Sequence, residues 1–482
     1  MRRETIRLWS GVAAAAVVAA SALAITAYAQ AGDFNRELTF DLDCDDKRDA
    51  VEGVPYATVE GHEAAGAVKV KYSKTGEKAT ISQATPGVPG SPEPEDDFGT
   101  AVTSYDENGD GCDDLVVSSH QEDVIGKDGK NHQNAGMIWV IPGSPSGLDT
   151  QAARGIHYET PGIPGSLGVN QYFGERLLAS NSTDGPYLLI VAPGLDDANG
   201  AVYFLRAAKA YKITQDSPGV SGAAEPEDNF GATLAVNDRY FAIGSPGEEI
   251  DGADGAGMAH VFSLQAVNGT MKQLGAVHQN TSGISGVAEK NDGFGGGLSV
   301  VPYQPSSGAK AIPLLSVGAP GEDIGGVQAG QDAGMAHLIT FPSTGTYKQV
   351  VAAHENTPGV PGEAEGGDNF GYSSVLVPTE PSGVATPLTA HWVVAGGIYD
   401  GDGENHYTAL YVLRVSESPG GGNAKVIDGD DYGLWFDEAN AGCSLQADTK
   451  FLYCGYPPAA GVPWGNILHG ESEPTEFYRV DD

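Results

Sequence analysis

The chain has 482 residues, 26 Lys+Arg against 64 Asp+Glu, and a formal charge of -38. So few cations exclude a nucleic-acid binder, whose phosphate affinity needs Lys and Arg, and disfavour anionic membrane surfaces. The 68 Gly and 29 Pro make about a fifth of the chain against a usual share of roughly 12%, and with 40% hydrophobic residues to build a core they point to periodic turns rather than disorder.

In chain order, residues 1–29 read as a signal peptide outside the fold. Arg2, Arg3 and Arg7 form a basic n-region, residues 11–27 are uncharged and Ala/Val-rich, and Ala27-Tyr28-Ala29 is a small-x-small cleavage site. Cleavage is expected over an uncleaved anchor, because the stretch is only weakly apolar. It would leave 23 cations against 63 acids, a charge of -40, and no second apolar span follows. Export makes the four remaining cysteines disulfide candidates. Cys443 and Cys454 are eleven apart across an expected hairpin and are the better pair; Cys44 with Cys112 follows by elimination. A zinc site is disfavoured, since no CxxC spacing or paired His accompanies them.

Two acidic loops come next. In residues 41–49, Asp41, Asp43, Asp45 and Asp49 fall at relative positions 1, 3, 5 and 9, with the Lys47 carbonyl at 7. In residues 106–114, Asp106, Asn108, Asp110 and Asp114 take the same positions, with the Cys112 carbonyl at 7. Calcium needs six to eight oxygens at about 2.3–2.6 Å, and alternate oxygen side chains on a tight loop supply them. Gly109 and Gly111 permit the turns of the second loop, whereas the first lacks loop glycines and is the poorer match. An EF-hand would need Gly at position 6, Glu at 12 and helices on both sides. The first loop has Glu52 but Asp46, the second Gly111 but Val117, and the segments that follow suit strands.

From residue 85 a single pattern repeats: TPGVPGSPEPEDDFG (85–99), TPGIPGSLGVNQYFG (160–174), SPGVSGAAEPEDNFG (217–231), TSGISGVAEKNDGFG (281–295) and TPGVPGEAEGGDNFG (357–371). The aromatic-Gly pairs begin at Phe98, Phe173, Phe230, Phe294, Phe370 and, in a looser copy, Tyr432; a degenerate first copy ends at Phe34. That is seven units of roughly 66 residues, the period of a propeller blade. Each unit reads as four short strands. A half-buried run follows the aromatic-Gly, then an apolar run ends in a Gly/Pro turn (Ser316-Val317-Gly318-Ala319-Pro320-Gly321), and a third run opens with small residues (Ala333-Gly334-Met335-Ala336). Gly/Pro-punctuated runs of four to six residues without helical periodicity predict an all-β array, a seven-bladed β-propeller of four-stranded blades over residues 31–482.

The cadence of Phe-Gly and Gly-Ala-Pro resembles FG-GAP repeats, the blades of the integrin α-subunit propeller and its bacterial secreted relatives. The resemblance covers about residues 31–482, and it implies that the 1-3-5-9 loops are calcium loops between two strands of a blade. In integrins these loops sit in later blades; here they sit in the first two, so calcium is expected to stabilise the N-terminal blades and ring closure. Asn181-Ser182-Thr183-Asp184, Asn237-Asp238 and residues 302–309 cannot supply the ligand set. The acids after the Gly/Pro turns (Asp196, Asp197, Glu248, Glu249, Glu322, Asp323) are expected to form a charged loop face, and Asp400-Gly401-Asp402-Gly403-Glu404 is a lone further candidate.

No catalytic residue is assigned. His157, His278 and His354 each lie three before a Thr, and His260 and His337 share a Gly-Met-Ala-His context, so they read as structural. No nucleophile elbow, His-Glu-x-x-His or phosphate loop occurs. The expected function is a secreted, monomeric, calcium-binding adhesion or binding module for a protein or glycan partner. The alternatives are a hydrolase with a site across blade loops and a lectin-type propeller. Tyr158 would be a lectin aromatic, but its counterparts are Gln279 and Glu355.

Overall fold

A computed structural model of the chain describes residues 40–182, 184–194, 200–325, 331–378, 384–399 and 406–415, with strand segments at 425–428, 445–447, 451–454, 460–463 and 476–477. Among them the chain is all-β, apart from one short 3-10 helix at Thr150–Ala152. No helix of the described residues is long and apolar enough to cross a membrane.

Seven antiparallel sheets of three or four strands follow one another in chain order. The first holds β1 (Ala50–Val54), β2 (Ala67–Lys71) and β3 (Lys78–Ile81). In the second, β4 (Val102–Tyr105) and β5 (Asp114–Ser119) are followed by a two-stranded ribbon, β6 (Val124–Ile125) and β7 (Asn131–His132), then by β8 (Met137–Ile141) and β9 (Arg154–Ile156). The third comprises β10 (Arg176–Ser180), β11 (Tyr187–Ala192), β12 (Ala201–Arg206) and β13 (Lys209–Ile213). The fourth comprises β14 (Thr233–Val236), β15 (Tyr240–Ser245), β16 (Met258–Val267) and β17 (Thr270–Val277). The fifth comprises β18 (Gly297–Tyr303), β19 (Ile312–Ala319), β20 (Met335–Ser343) and β21 (Thr346–Ala353). The sixth runs β22 (Ser373–Pro378), β23 (Ala390–Tyr399), β24 (His406–Arg414) and β25 (Lys425–Asp428). The last runs β26 (Leu445–Ala447), β27 (Phe451–Cys454), β28 (Ala460–Pro463) and β29 (Glu476–Phe477). Each sheet pairs its strands in sequence order, as consecutive hairpins do.

The first strands of successive sheets lie against one another: β4 on β10, β10 on β14, β14 on β18, β18 on β22 and β22 on β26. This is a β-propeller-like arrangement, in which sheets stack face to face because none can bury both faces alone. The core therefore lies between sheets. Phe98 packs among Val68 and Val70 of the first sheet and Val102, Val117 and Trp139 of the second. Phe173, Phe230, Phe294 and Phe370 fill the following junctions and are fully buried. Each ring meets a large side chain on the third strand of its sheet. The centroid distances are 4.9 Å to Trp139, 5.5 Å to Tyr203, 5.3 Å to His260, 5.2 Å to His337 and 4.9 Å to Tyr411. The repeated aromatic is thus the wedge that the sequence period requires.

Docking of the wedge depends on glycine at one repeated place. The Phe98 N–H donates to the Ala65 carbonyl at 3.1 Å, and Phe173 does the same to Ala135. The glycine that follows each alanine, Gly66 or Gly136, has φ near +80° and lies under the wedge backbone. A Cβ there would come 2.2 Å from the Phe98 carbonyl oxygen or 2.3 Å from that of Phe173. Only glycine meets both demands. The looser copy at Tyr432 and the degenerate copy at Phe34 lie outside the described residues.

Candidate metal centre

The loop 41–49 precedes β1 as the loop 106–114 precedes β5, so the two occupy equivalent places in the first and second sheets. Both use the same backbone device. Positions 4 and 6 are left-handed: Gly109 and Gly111 at φ 76° and 97° in the second loop, Cys44 and Asp46 at 57° and 61° in the first. The first loop therefore makes these turns without glycine. Each such turn costs an L-residue about 1–2 kcal/mol.

The turns are held by the ligand-position side chains themselves. Asp41 Oδ1 accepts from the Asp45 N–H at 2.8 Å and Oδ2 from Asp46 at 3.1 Å; Asp45 Oδ1 accepts from Lys47. In the second loop Asp106 accepts from Gly109, Asp110 and Gly111, Asn108 Oδ1 from Asp110, and Asp110 Oδ1 from Cys112. Position 9 ties each loop to its neighbours. Asp49 accepts from Leu42 at 3.0 Å and Ser73 at 2.9 Å; Asp114 accepts from Glu107 and Gly143, both at 3.0 Å.

The carboxylates of Asp41, Asp43 and Asp45 each place an oxygen within 4.8 Å of the others, the one such acidic group among the described residues. Asp43 Oδ1 and Asp45 Oδ2 are buried and have no hydrogen-bond donor there. Burial raises the pKa of Asp41 and Asp43, with neighbouring carboxylates adding to it, and lifts Asp49 to about 7. Such a concentration of buried carboxylate oxygen is stable with a proton or a cation among it. The donor set is all oxygen, which suits a hard divalent ion, and the donorless oxygens fit it. In the second loop Asn108 stands where the first has Asp43, and its Nδ2 donates to Asp110 Oδ2 at 2.9 Å. Asp114 is pushed up to about 6 by burial.

The two loops form one body. Cys44 and Cys112 are joined by a disulfide, with Cα atoms 4.6 Å apart, as elimination had suggested. The Asp113 N–H donates to the Asp41 carbonyl at 2.9 Å and the Ser144 N–H to that of Leu42 at 3.2 Å. Cys443 and residues 400–404 lie outside the described residues.

The FG-GAP repeat family model matches residues 98–141, which span the wedge Phe98, the second acidic loop and strands β4 to β8. The chain carries an FG-GAP repeat. The other FG-GAP-like units follow the same plan in the structure, as the five wedges show. No curated protein matches the chain. Many solved structures align with it, and three illustrate the likeness. A candidate 6-phosphogluconolactonase of Bacteroides fragilis covers 78% of this chain and 97% of its own, at 12% identity and a TM-score of 0.29. One from Bacteroides uniformis covers 84% and 88%, at 11% identity and a TM-score of 0.34. An exotype rhamnogalacturonan lyase covers 77% and 54%, at 15% identity and a TM-score of 0.33. The fold assignment rests on the sheets themselves.

Two sequence expectations are corrected. Glu248 and Glu322 are not part of a charged loop face but are buried between sheets, where the amides of Gln215 and Gln279 donate to them. Glu122 is the equivalent in the second sheet and accepts from Gln83 Nε2 at 2.8 Å. Glu249 and Asp323 remain exposed, and Asp196 and Asp197 lie outside the described residues. Each glutamine comes from the Pro-Gly stretch of the preceding unit, two residues before its Thr or Ser, so the repeat position carried the signal. Tyr158, the lectin candidate, is a core residue packed on Phe173 and Tyr203.

The histidines have structural places. His260 and His337 are fully buried, and burial lowers them to about 3 and 4, so they are neutral wedge partners. The N–H groups of His157, His278 and His354 donate to Thr160, Thr281 and Thr357, which opens each Pro-Gly turn. The equivalent loop of the fourth sheet is a plain turn: Asn237 Oδ1 accepts from Arg239 and Tyr240.

Proposed function

We propose that this chain is an exported, calcium-stabilised propeller of seven four-stranded FG-GAP blades that serves as a binding module for a protein or glycan partner. The observation that carries the metal part is the convergence of Asp41, Asp43 and Asp45 with two buried oxygens that lack donors. Asp41, Asp43, Asp45, Asp49 and the Lys47 carbonyl would hold one ion; Asp106, Asn108, Asp110, Asp114 and the Cys112 carbonyl would hold a second. Calcium there neutralises buried carboxylates and fixes two left-handed turns at non-glycine residues. The count of seven sheets among the described residues supports seven blades. The disulfide supports an oxidising compartment, and residues 1–29 supply the export signal. A binding role follows from a rigid scaffold whose variable inter-strand loops are acidic, a surface suited to cationic partners. Titration of chelator-stripped protein with calcium, beside a glycan and protein-ligand array, tests both halves. Absence of calcium binding removes the metal reading, and turnover on an esterase panel would displace the binding module.

A further inference from the structure

The disulfide has an unusual address. Cys44 is position 4 of the first acidic loop, between Asp43 and Asp45, two of the three converging carboxylates, each with a buried oxygen that lacks a donor. Its φ of 57° is left-handed, a conformation that an L-residue leaves readily unless held. Cys112 is position 7 of the second loop, the residue whose carbonyl would be a ligand there. The start of the first loop is already fastened to the second sheet by the Asp41 and Leu42 carbonyls, and Phe40 N–H donates to Ser104 Oγ at 2.8 Å. The bridge adds a covalent hold in the loop's middle, at the turn that brings Asp43 and Asp45 together.

We propose that the Cys44–Cys112 bridge couples thiol oxidation to cation binding, so that the oxidised protein binds calcium more tightly than the reduced one and bound calcium protects the bridge from reduction. The inference rests on the calcium reading of the 41–49 loop. When the bridge opens, Cys44 is free to leave the left-handed region, and the Asp43 and Asp45 carboxylates separate. Coupling between sites is reciprocal, because binding free energies form a closed cycle. The chemistry is thiol–disulfide exchange with a dithiol. Its thiolate attacks Cys44 Sγ, on the half-buried side of the bridge, and Cys112 leaves as a thiolate. The second thiol of the reagent resolves the mixed disulfide, so two electrons pass to the protein and the reagent is released as its own disulfide.

The test uses the full exported chain. Calcium affinity is measured by calorimetry on oxidised protein, on protein reduced with dithiothreitol, and on the Cys44→Ser/Cys112→Ser variant, with far-UV circular dichroism to confirm folding. Reduction is expected to weaken calcium binding about tenfold, within the usual 5–150-fold range of coupled sites. Should the variant fail to fold, a second measurement on the native chain stands alone: the dithiothreitol redox equilibrium, read by thiol alkylation and mass, with and without saturating calcium. Calcium is expected to shift that equilibrium toward the disulfide by a comparable factor. Equal affinity in both redox states, or an equilibrium indifferent to calcium, overturns the coupling while leaving the calcium reading intact. Absence of calcium binding by the oxidised protein overturns both.

Discussion

The buried glutamates between sheets give a quantitative prediction. Glu122 is buried, and its surroundings are acidic: burial first, then Asp96, push its pKa to about 9. The unfolded chain releases that proton near pH 4.3, roughly the free glutamate value. Between these values the native state holds a proton that the unfolded state has lost, so stability falls as pH rises from about 4.3 to about 9. At pH 7.5 the full linkage would be about 4 kcal/mol, at 1.36 kcal/mol per pH unit, an upper bound that relaxation and water reduce. Glu122→Gln replaces the acid by a neutral group of the same shape that still accepts from Gln83 Nε2. It is expected to stabilise the protein by about 1–3 kcal/mol at pH 7.5 and to change nothing at pH 4.5. At roughly 2 cal/mol/K per residue over about 440 residues, 2 kcal/mol raises Tm by ~2 °C. Gln83 Oε1, buried without a donor, agrees with a protonated partner, since a turned amide would accept the glutamic acid proton. Scanning calorimetry of both proteins from pH 4.5 to 9 reads the effect. A pH-independent offset, or destabilisation at pH 7.5, would mean that Glu122 is not held protonated in the native state.

Other expectations follow from the same geometry. Asp46→Gly relieves an exposed left-handed turn and should raise stability by about 0.5–1 kcal/mol in calcium-free buffer, read as a Tm shift; a lower Tm would show that Asp46 does more than make the turn. Phe230→Ala removes a buried wedge and should cost about 3–5 kcal/mol by chemical denaturation, whereas a loss below 1 kcal/mol would mean the junction collapses around the gap. Gly136→Ala forces a methyl to within 2.3 Å of the Phe173 carbonyl oxygen, so the variant should express poorly or melt several degrees lower.

The repeat was legible in the sequence because its turns are chemically demanding. Left-handed positions call for glycine, and the wedge calls for an aromatic at blade spacing, so Phe98, Phe173, Phe230, Phe294 and Phe370 stand out in the sequence alone. Two features were not legible. Glutamates after the Gly/Pro turns look like any exposed acid, because the glutamine that meets each one belongs to the preceding unit and closes the junction only when sheets stack. The second is how the first acidic loop makes its turns, and the reason is local. Missing glycines counted against residues 41–49, yet Cys44 and Asp46 adopt the same turns, with Cys44 bridged to Cys112 and Asp46 N–H bonded to Asp41. At positions 1, 3 and 5 the first loop has three carboxylates where the second has two and an amide.

Whether these loops hold calcium is decided by titration calorimetry of chelator-stripped protein. Saturable binding with a rise in Tm is expected, as is loss of the first-loop site in Asp43→Ala with the second-loop site retained. Heat of dilution alone at millimolar calcium, with an unchanged Tm, would contradict calcium binding.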